Sequence, residues 1–318
     1  MAFDVIGDVH GHVEALDALL YKLGYREQHG AWRHPDRTAV FVGDLIDRGP
    51  GQLRTLDRVR RMVDAGSALM TMGNHEFNAL AWATPDPDMA GEFLRPHNHK
   101  NRHQHAAFLS EMASQPQLLA ETLDWFMSLP LWLELPGLRV VHACWHPEAL
   151  AVLRGRLTPE RTLTAATLVE AARRPHPDAS DSERLLFDAV ESVLKGLEAT
   201  LPDGLQFHDK DGRARRQVRI RWWDSEATTW QQAAEVDATT RAKLPATPLP
   251  VSMRLTYSDP IPVLFGHYWQ RGAPAVHANG LAACLDYSVA RGGQLMAYRW
   301  EGEPRLDAAH FVSVPAMG

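Results

Sequence analysis

The first 80 residues alternate short apolar runs with segments whose apolar residues recur at helical spacing. The runs predict strands at Phe3 to Ile6, Thr38 to Val42 and Ala68 to Met72, and a helix is predicted after each of them. The apolar positions that mark the first helix are Val13, Leu16, Leu19, Leu20 and Leu23. Successive strand–helix units of this kind predict an α/β fold with parallel strands.

The remainder of the chain contains further strand-like runs and two irregular segments. Residues 85–135 and about 150–260 are predicted to be cap insertions in a single domain that spans residues 1–318. The second insertion contains a predicted helix, Glu183 to Leu197, and a predicted hairpin around the Asp-Lys-Asp-Gly sequence at 209–212. Later strands are predicted at Leu138 to His142, Ile261 to Phe265, Ala275 to His277, Ala282 to Leu285 and Leu295 to Arg299.

The composition is that of a globular protein and sets limits on its partners. Apolar residues make up 45% of the 318 positions and charged residues 23%, which excludes a disordered or collagen-like chain. The net charge is −6, from 33 basic and 39 acidic residues. An acidic balance argues against bulk binding of nucleic acid, so any phosphate chemistry is expected to be local.

The number of cysteines and the length of the apolar runs indicate the cellular compartment. Cys144 and Cys284 are too few and too distant for a zinc ribbon or a secreted disulfide framework, which favours a reducing, cytoplasmic setting. Asp4 interrupts the first apolar run too early for a signal peptide. No run approaches the roughly 18 apolar residues of a membrane span, so no membrane partner is expected.

Five short motifs with the chemistry of metal ligands follow predicted strands. Asp8 and His10 stand two positions apart, a spacing that lets both side chains face one ion in extended backbone. The carboxyl ends of parallel strands meet at one edge of a sheet, where α/β folds place their ligands. Oxygen and imidazole donors without thiolate favour manganese, iron or zinc over magnesium or calcium. The motifs are Gly7-Asp8-Val9-His10-Gly11, Gly43-Asp44-Leu45-Ile46-Asp47-Arg48-Gly49, Gly73-Asn74-His75-Glu76, Val141-His142 and Gly266-His267.

These motifs resemble the GDxHG, GDxxDRG and GNHE signatures of the calcineurin-like metallophosphoesterases, in the phosphoprotein-phosphatase-type branch. Within that branch they are similar to bacterial serine/threonine phosphatases and symmetrical dinucleoside tetraphosphatases. The resemblance implies a four-layer β-sandwich flanked by helices and topped by cap insertions. It also implies two divalent metal ions, most simply manganese, and hydrolysis of a phosphate ester or phosphoanhydride by a hydroxide that bridges them.

The resemblance also assigns roles to individual residues. Arg48 is expected to hold phosphate oxygens together with Asn74, because a planar guanidinium suits two such oxygens. His75, oriented by Asp47, is expected to protonate the leaving group. The implied ligands are Asp8, His10 and Asp44 for the first metal, and Asp44, Asn74, His142 and His267 for the second.

The chain departs from the family pattern beside two of these ligands. Ala143 follows His142 where a glycine is usual, and Tyr268 follows His267 where a threonine is usual. A second phosphate-clamping arginine normally lies between these two histidines. Arg221 is the predicted candidate, with Arg219 and Arg254 as alternatives.

Other prominent residues are interpreted as structural. The four histidines between His97 and His105 are expected to form a solvated cap rather than a further metal site. Trp222, Trp223 and Trp230 are expected to pack the second insertion rather than to stack on bases.

Three functions are compatible with the sequence. The first is hydrolysis of a phosphorylated small molecule or nucleotide, such as a dinucleoside polyphosphate. The second is dephosphorylation of serine or threonine in a phosphoprotein. The third, a non-catalytic scaffold, is the weakest because every implied ligand and His75 are present.

Overall fold

The structure is a computed structural model that describes residues 1–176, 178–208, 214–255 and 257–317. The predicted hairpin at 209–212 lies outside the described residues. The strands are β1 (Ala2–Ile6), β2 (Arg26–Gln28), β3 (Ala31–Arg33), β4 (Arg37–Phe41), β5 (Ala68–Met70), β6 (Trp132–Leu135), β7 (Leu138–Val141), β8 (Glu198–Thr200), β9 (Phe207–His208), β10 (Ala214–Arg215), β11 (Gln217–Arg219), β12 (Val263–Phe265), β13 (Ala282–Cys284), β14 (Asp286–Tyr287), β15 (Gln294–Trp300) and β16 (Phe311–Pro315).

The helices include short 3₁₀ turns. The α-helices are α1 (Val13–Leu23), α2 (Gln52–Asp64), α3 (Asn74–Ala83), α4 (His99–Gln104), α5 (Ala106–Met112), α6 (Pro116–Met127), α7 (Pro147–Arg154), α8 (Ala165–Ala172), α9 (Asp181–Lys195), α10 (Trp230–Ala233) and α11 (Ala238–Arg241). The 3₁₀ turns are Pro202–Gly204, Val251–Met253, Ala278–Gly280, Val289–Arg291 and Ala308–His310. Within the described residues, no helix is long and apolar enough to cross a bilayer.

Two sheets carry the strands that end in the sequence motifs. The first has the order β14-β15-β1-β4-β5, with β16 added beside β15, and β1, β4 and β5 run parallel. The second has the order β13-β12-β7-β6, in which β12 is parallel to both β7 and β13. The predicted parallel α/β sheet is therefore confirmed, and antiparallel strands extend both sheets.

Alternation along the strands explains why the two sheets pack face to face. Val5 and Val40, paired in register, join Val140 and Leu264 in a buried cluster between the sheets. The intervening residues point to the opposite faces, where the helices cover them. Helices, two sheets and helices give the four-layer sandwich that the sequence predicted.

The two insertions differ in secondary structure and in the core that their side chains join. The first insertion contains three helices within residues 99–127, α4, α5 and α6. Helices α7 to α9 of the second segment pack into the main core, whereas residues 199–249 supply a small separate cluster that includes Trp230. Trp222 and Trp223 are packing residues as predicted, but they are buried in the main core and not in the cluster of the insertion.

One predicted strand is wrong. At 275–277 only His277 forms a bridge, with Ala282. The backbone then turns through Ala278 and Asn279, whose φ angles are positive, so the run is too short to build a ladder.

Candidate metal and phosphate site

Each motif begins at most three residues after the last residue of a strand, and the fold brings the motifs together. Asp44 follows β4, His142 follows β7 and His267 follows β12. Their side chains form two buried groups that share Asp44. The groups are His10, Asp44 and His75, and Asp44, His142 and His267, with ligand atoms within 4.8 Å of one another.

Asp44 faces both groups with different oxygens. Its Oδ2 lies 3.7 Å from Nε2 of His10 and 3.8 Å from Nε2 of His75. Its Oδ1 lies 3.4 Å from Nε2 of His142. A carboxylate in this position can contact two cations at once, which is the role that the resemblance implies for it.

Backbone carbonyls orient two of the histidines. Nδ1 of His10 lies 2.9 Å from the carbonyl oxygen of Ile46, and Nδ1 of His142 lies 2.9 Å from that of Val42. Each contact turns the ring so that Nε2 points at Asp44. Partners of this kind set the tautomer and direction of metal-binding imidazoles.

Asn74 joins the second group through its amide oxygen. Its Oδ1 lies 3.1 Å from Nε2 of His142 and 2.8 Å from Nδ1 of His267. Nε2 of His10 and Nε2 of His267 are buried without a hydrogen-bond partner in the part of the chain that the structure describes. Buried polar atoms normally have a partner, so these nitrogens, with Asp44 and Asn74, fit divalent cations.

Within the described residues, Asp8 belongs to neither group of donor atoms, and its carboxylate contacts the backbone of His267. Its buried carboxylate accepts the backbone N–H of His267, at 3.0 Å from Oδ2. Burial and the nearby charge of Asp286 raise the pKa of Asp8 well above its ordinary value. A bound cation would relieve this cost of burying a carboxylate.

The histidines differ in charge for physical reasons. Burial and the charge of His75 lower the pKa of His10 to about 3, so its ring is neutral. Burial opposes charge on His142 as well, but Asp44 and Asp8 raise its pKa to about 10. In the protein alone, a proton on His142 therefore offsets part of the carboxylate charge.

The motif backbone is unusual at the same residues. Left-handed φ angles are rare for residues other than glycine and cost about 1–3 kcal/mol each, so they persist where the surroundings impose them. The site residues with such angles are His10 (49°), Asp44 (53°), Asp47 (69°), Arg48 (74°) and His267 (73°).

Glu76 provides much of the restraint on this backbone. Its buried carboxylate accepts the backbone N–H groups of Asp44 at 2.9 Å, Leu45 at 2.8 Å and Gly73 at 2.9 Å. A Cβ atom on Gly73 would collide with Asp44, and one on Gly266 would collide with Oδ1 of Asp8. The two glycines therefore allow the carboxylates to pack against backbone.

A second set of contacts lies beside the first donor group. Nδ1 of His75 lies 2.5 Å from Oδ2 of Asp47, and Nδ1 of His105 lies 2.7 Å from Oδ1 of the same carboxylate. Burial opposes ionisation of Asp47, but the hydrogen bonds from His105 and His75 hold its pKa below the ordinary value. Burial likewise opposes charge on His75, yet Asp44 and Asp47 raise its pKa, which suits a proton donor.

His105 is the residue that sequence reasoning missed. The prediction of a solvated cap is wrong for it, because its ring is buried against Asp47. His97 is also packed, with its ring stacked 3.8 Å from that of Trp82. The only signal in the sequence was the density of histidines, and this could not single out His105.

Comparison with known proteins places these features in a family. The model of the calcineurin-like phosphoesterase family matches residues 1–193. The chain belongs to the calcineurin-like phosphoesterase family. The resemblance noted from its motifs is therefore confirmed, and family membership supports a phosphoester-hydrolysing enzyme.

The sequence matches to known relatives cover different fractions of this phosphoesterase. An asymmetrical bis(5'-nucleosyl)-tetraphosphatase of Halalkalibacterium halodurans is 49% identical over 76 residues, which are 24% of this chain and 31% of the relative. A symmetrical bis(5'-nucleosyl)-tetraphosphatase of Vibrio cholerae is 26% identical over 322 aligned positions, 100% of this chain and 99% of the relative. The first match thus spans about a third of that relative.

A solved structure shares the fold of this phosphoesterase. A cold-active protein tyrosine phosphatase superposes with a TM-score of 0.50 at 18% identity. The match covers 93% of this chain and 73% of the other.

The arginines of the phosphoesterase are divided between the site and the second insertion. Arg48 is exposed, stacks 4.5 Å from the ring centre of Trp269, and is close enough for its charge to oppose protonation of the buried His10. Arg221 instead bonds to the carbonyl of Gln232 and lies 3.1 Å from Asp224.

The structure thus does not bring Arg221 to the donor residues. Within the described ranges, no contact joins it to the histidines, because Asp224 and the carbonyl of Gln232 engage its guanidinium. Arg219 is the alternative whose charge acts on a donor residue, since burial and the charge of Arg219 hold the pKa of His267 well below its ordinary value. Arg254 bonds to the carbonyl of Leu249 at 2.8 Å.

Proposed function

We propose that the chain is a metal-dependent phosphohydrolase that cleaves a phosphate ester or phosphoanhydride in a small phosphorylated molecule, with dinucleoside polyphosphates as the first candidates. One observation carries the proposal: Asp44 joins two buried donor groups, and His75 of the first group lies 2.5 Å from the Asp47 carboxylate. The full-length relative named as a symmetrical bis(5'-nucleosyl)-tetraphosphatase supports the choice of substrate.

The donors suit two divalent ions. Asp8, His10 and Asp44 are proposed to hold the first, and the second is proposed to share Asp44. The remaining ligands of the second ion are Asn74, His142 and His267. When bound, such ions polarise the phosphoryl group and supply a nucleophile from water at neutral pH. Manganese is proposed because the donors are nitrogen and oxygen without thiolate, a set that iron and zinc also accept.

The residues of the chain then position the substrate and move the proton. Arg48 can hold two phosphate oxygens with its planar guanidinium, and Arg219 rather than Arg221 is proposed as the second clamp. His75 is proposed to protonate the departing oxygen through Nε2, because Nδ1 is engaged by Asp47. Asp47 fixes this tautomer and stabilises the charged ring.

The proposed setting is the cytoplasm. Cys144 and Cys284 are both buried and unpaired, as expected of a protein kept in a reducing compartment.

The test uses metal-free protein reconstituted with Mn²⁺ and three substrates: diadenosine tetraphosphate, a phosphoserine peptide and an aryl phosphate. We expect turnover of the aryl phosphate, with the highest kcat/KM for the tetraphosphate. His75→Asn is the control that separates this activity from a contaminating phosphatase. Preference for the peptide would favour a phosphoprotein phosphatase, and no turnover with any divalent ion would refute an enzymatic function.

A further inference from the structure

The guanidinium groups of two arginines stack on the ring of Trp269. The guanidinium carbon of Arg48 lies 4.5 Å from the centre of its ring, and that of Arg291 lies 3.8 Å from it. Both arginines are exposed, and neither guanidinium forms an ion pair or hydrogen bond within the part of the chain described. Burial and the charge of Arg48 lower the pKa of Arg291, so the two cations repel each other.

The backbone that carries this cation pair is held rigidly. The buried carboxylate of Asp286 accepts the backbone N–H of Trp269 at 2.9 Å and that of Ser288 at 2.9 Å. Trp269 (φ 44°) and Ser288 (φ 61°) both adopt the left-handed conformation. The backbone N–H of Arg291 bonds to the carbonyl of Ser288 at 2.8 Å, which closes the turn. Strained positions restrained in this way are typical of functional sites.

The pair lies next to the donor groups in the chain. Arg48 directly follows Asp47, whose carboxylate Oδ2 lies 2.5 Å from Nδ1 of His75 in the first donor group. Trp269 stands two positions after His267 and holds both guanidinium groups on one ring.

We propose that Arg291, held on Trp269 beside Arg48, binds a second phosphate group of the substrate, linked to the phosphoryl group that is cleaved. The inference rests on the proposed function and adds the residue that selects compounds with consecutive phosphates. A guanidinium stacked on an aromatic ring keeps its N–H edge available for phosphate oxygens. A linked diphosphate would neutralise both cations, whereas a monoester places charge only at Arg48.

The test compares two substrates in the Mn²⁺-loaded enzyme. Arg291→Gln should lower kcat/KM for diadenosine tetraphosphate by about 10- to 100-fold, chiefly through KM, because one charge-assisted contact is lost. The same variant should change kcat/KM for an aryl phosphate by less than about 2-fold. Arg291→Lys should restore part of the loss, since the charge returns without the planar fork.

A matched control is Arg26→Gln. Arg26 also stacks on an aromatic ring, 4.0 Å from the centre of Tyr21, and among the described residues its guanidinium bonds to the carbonyls of Tyr21 and Tyr25, far from the donor motifs in the sequence. This variant should leave both substrates unchanged.

A binding measurement provides a readout that is independent of turnover. In the His75→Asn holoenzyme, adding Arg291→Gln should raise the Kd for diadenosine tetraphosphate by the same factor, about 10- to 100-fold. Equal losses on both substrates, or an unchanged Kd, would overturn the role of Arg291. If wild type cleaves the aryl phosphate but has no preference for the tetraphosphate, the inference fails while the phosphohydrolase function stands. If wild type cleaves neither, the proposed function itself fails.

Discussion

Glu76 is predicted to be essential to both stability and metal binding, although it belongs to neither donor group. Its carboxylate accepts three backbone N–H groups, those of Asp44, Leu45 and Gly73. Two of them belong to the loop in which Asp44 is held at a φ angle of 53°. Removing the carboxylate should therefore destabilise the protein and release Asp44 from its position.

The size of the effect follows from the number of hydrogen bonds. Glu76→Ala leaves three buried N–H groups without acceptors, at about 1–3 kcal/mol each, so the free energy of unfolding should fall by about 3–9 kcal/mol. In Glu76→Gln one amide oxygen can still serve Asp44 and Gly73, and only Leu45 loses its acceptor. Burial and the charge of Asp44 raise the pKa of Glu76. Loss of that repulsion offsets part of the cost, so the glutamine variant should lose only about 1 kcal/mol.

Urea unfolding of the metal-free variants measures these losses, and elemental analysis measures metal content after reconstitution. Glu183→Gln is the control, because Glu183 also accepts a backbone N–H, that of Ser180, but is exposed. It should change stability by less than about 1 kcal/mol. The reasoning is refuted if Glu76→Ala unfolds within 1 kcal/mol of wild type, or if it retains two ions per chain.

Three further substitutions test the site itself. Asp44→Ala should abolish binding of both ions, and elemental analysis that still finds two would contradict the shared role. His75→Asn should keep both ions but slow hydrolysis of an alkyl phosphate about 100-fold, with a smaller loss on an aryl phosphate, whose leaving group needs less protonation. A loss of metal instead would identify His75 as a ligand. His105→Gln removes one hydrogen bond to Asp47 and should lower kcat about 10-fold at unchanged metal content, whereas His103→Gln on the exposed side of the same segment should have no effect.

The sequence by itself determined the framework of the site. Short apolar runs located β1 and β4 to within one residue, because strands that are covered on both faces are apolar at consecutive positions. The motifs that follow the strands already contained the residues that the fold brings together. Asp44 and His267 could be identified because each follows a predicted strand within a motif that resembles the family signatures.

The tertiary structure alone decided which distant residues meet. His105 reaches Asp47 across 58 positions, and Arg291 reaches Trp269 through a turn tied down by Asp286. Asp224 pairs with Arg221, whereas the charge of Arg219 acts on His267 of the second donor group. No periodicity in the sequence records such contacts, because they depend on how the cap and the second insertion pack against the sandwich. Polar side chains on these segments are placed by that packing and not by the local alternation of apolar residues.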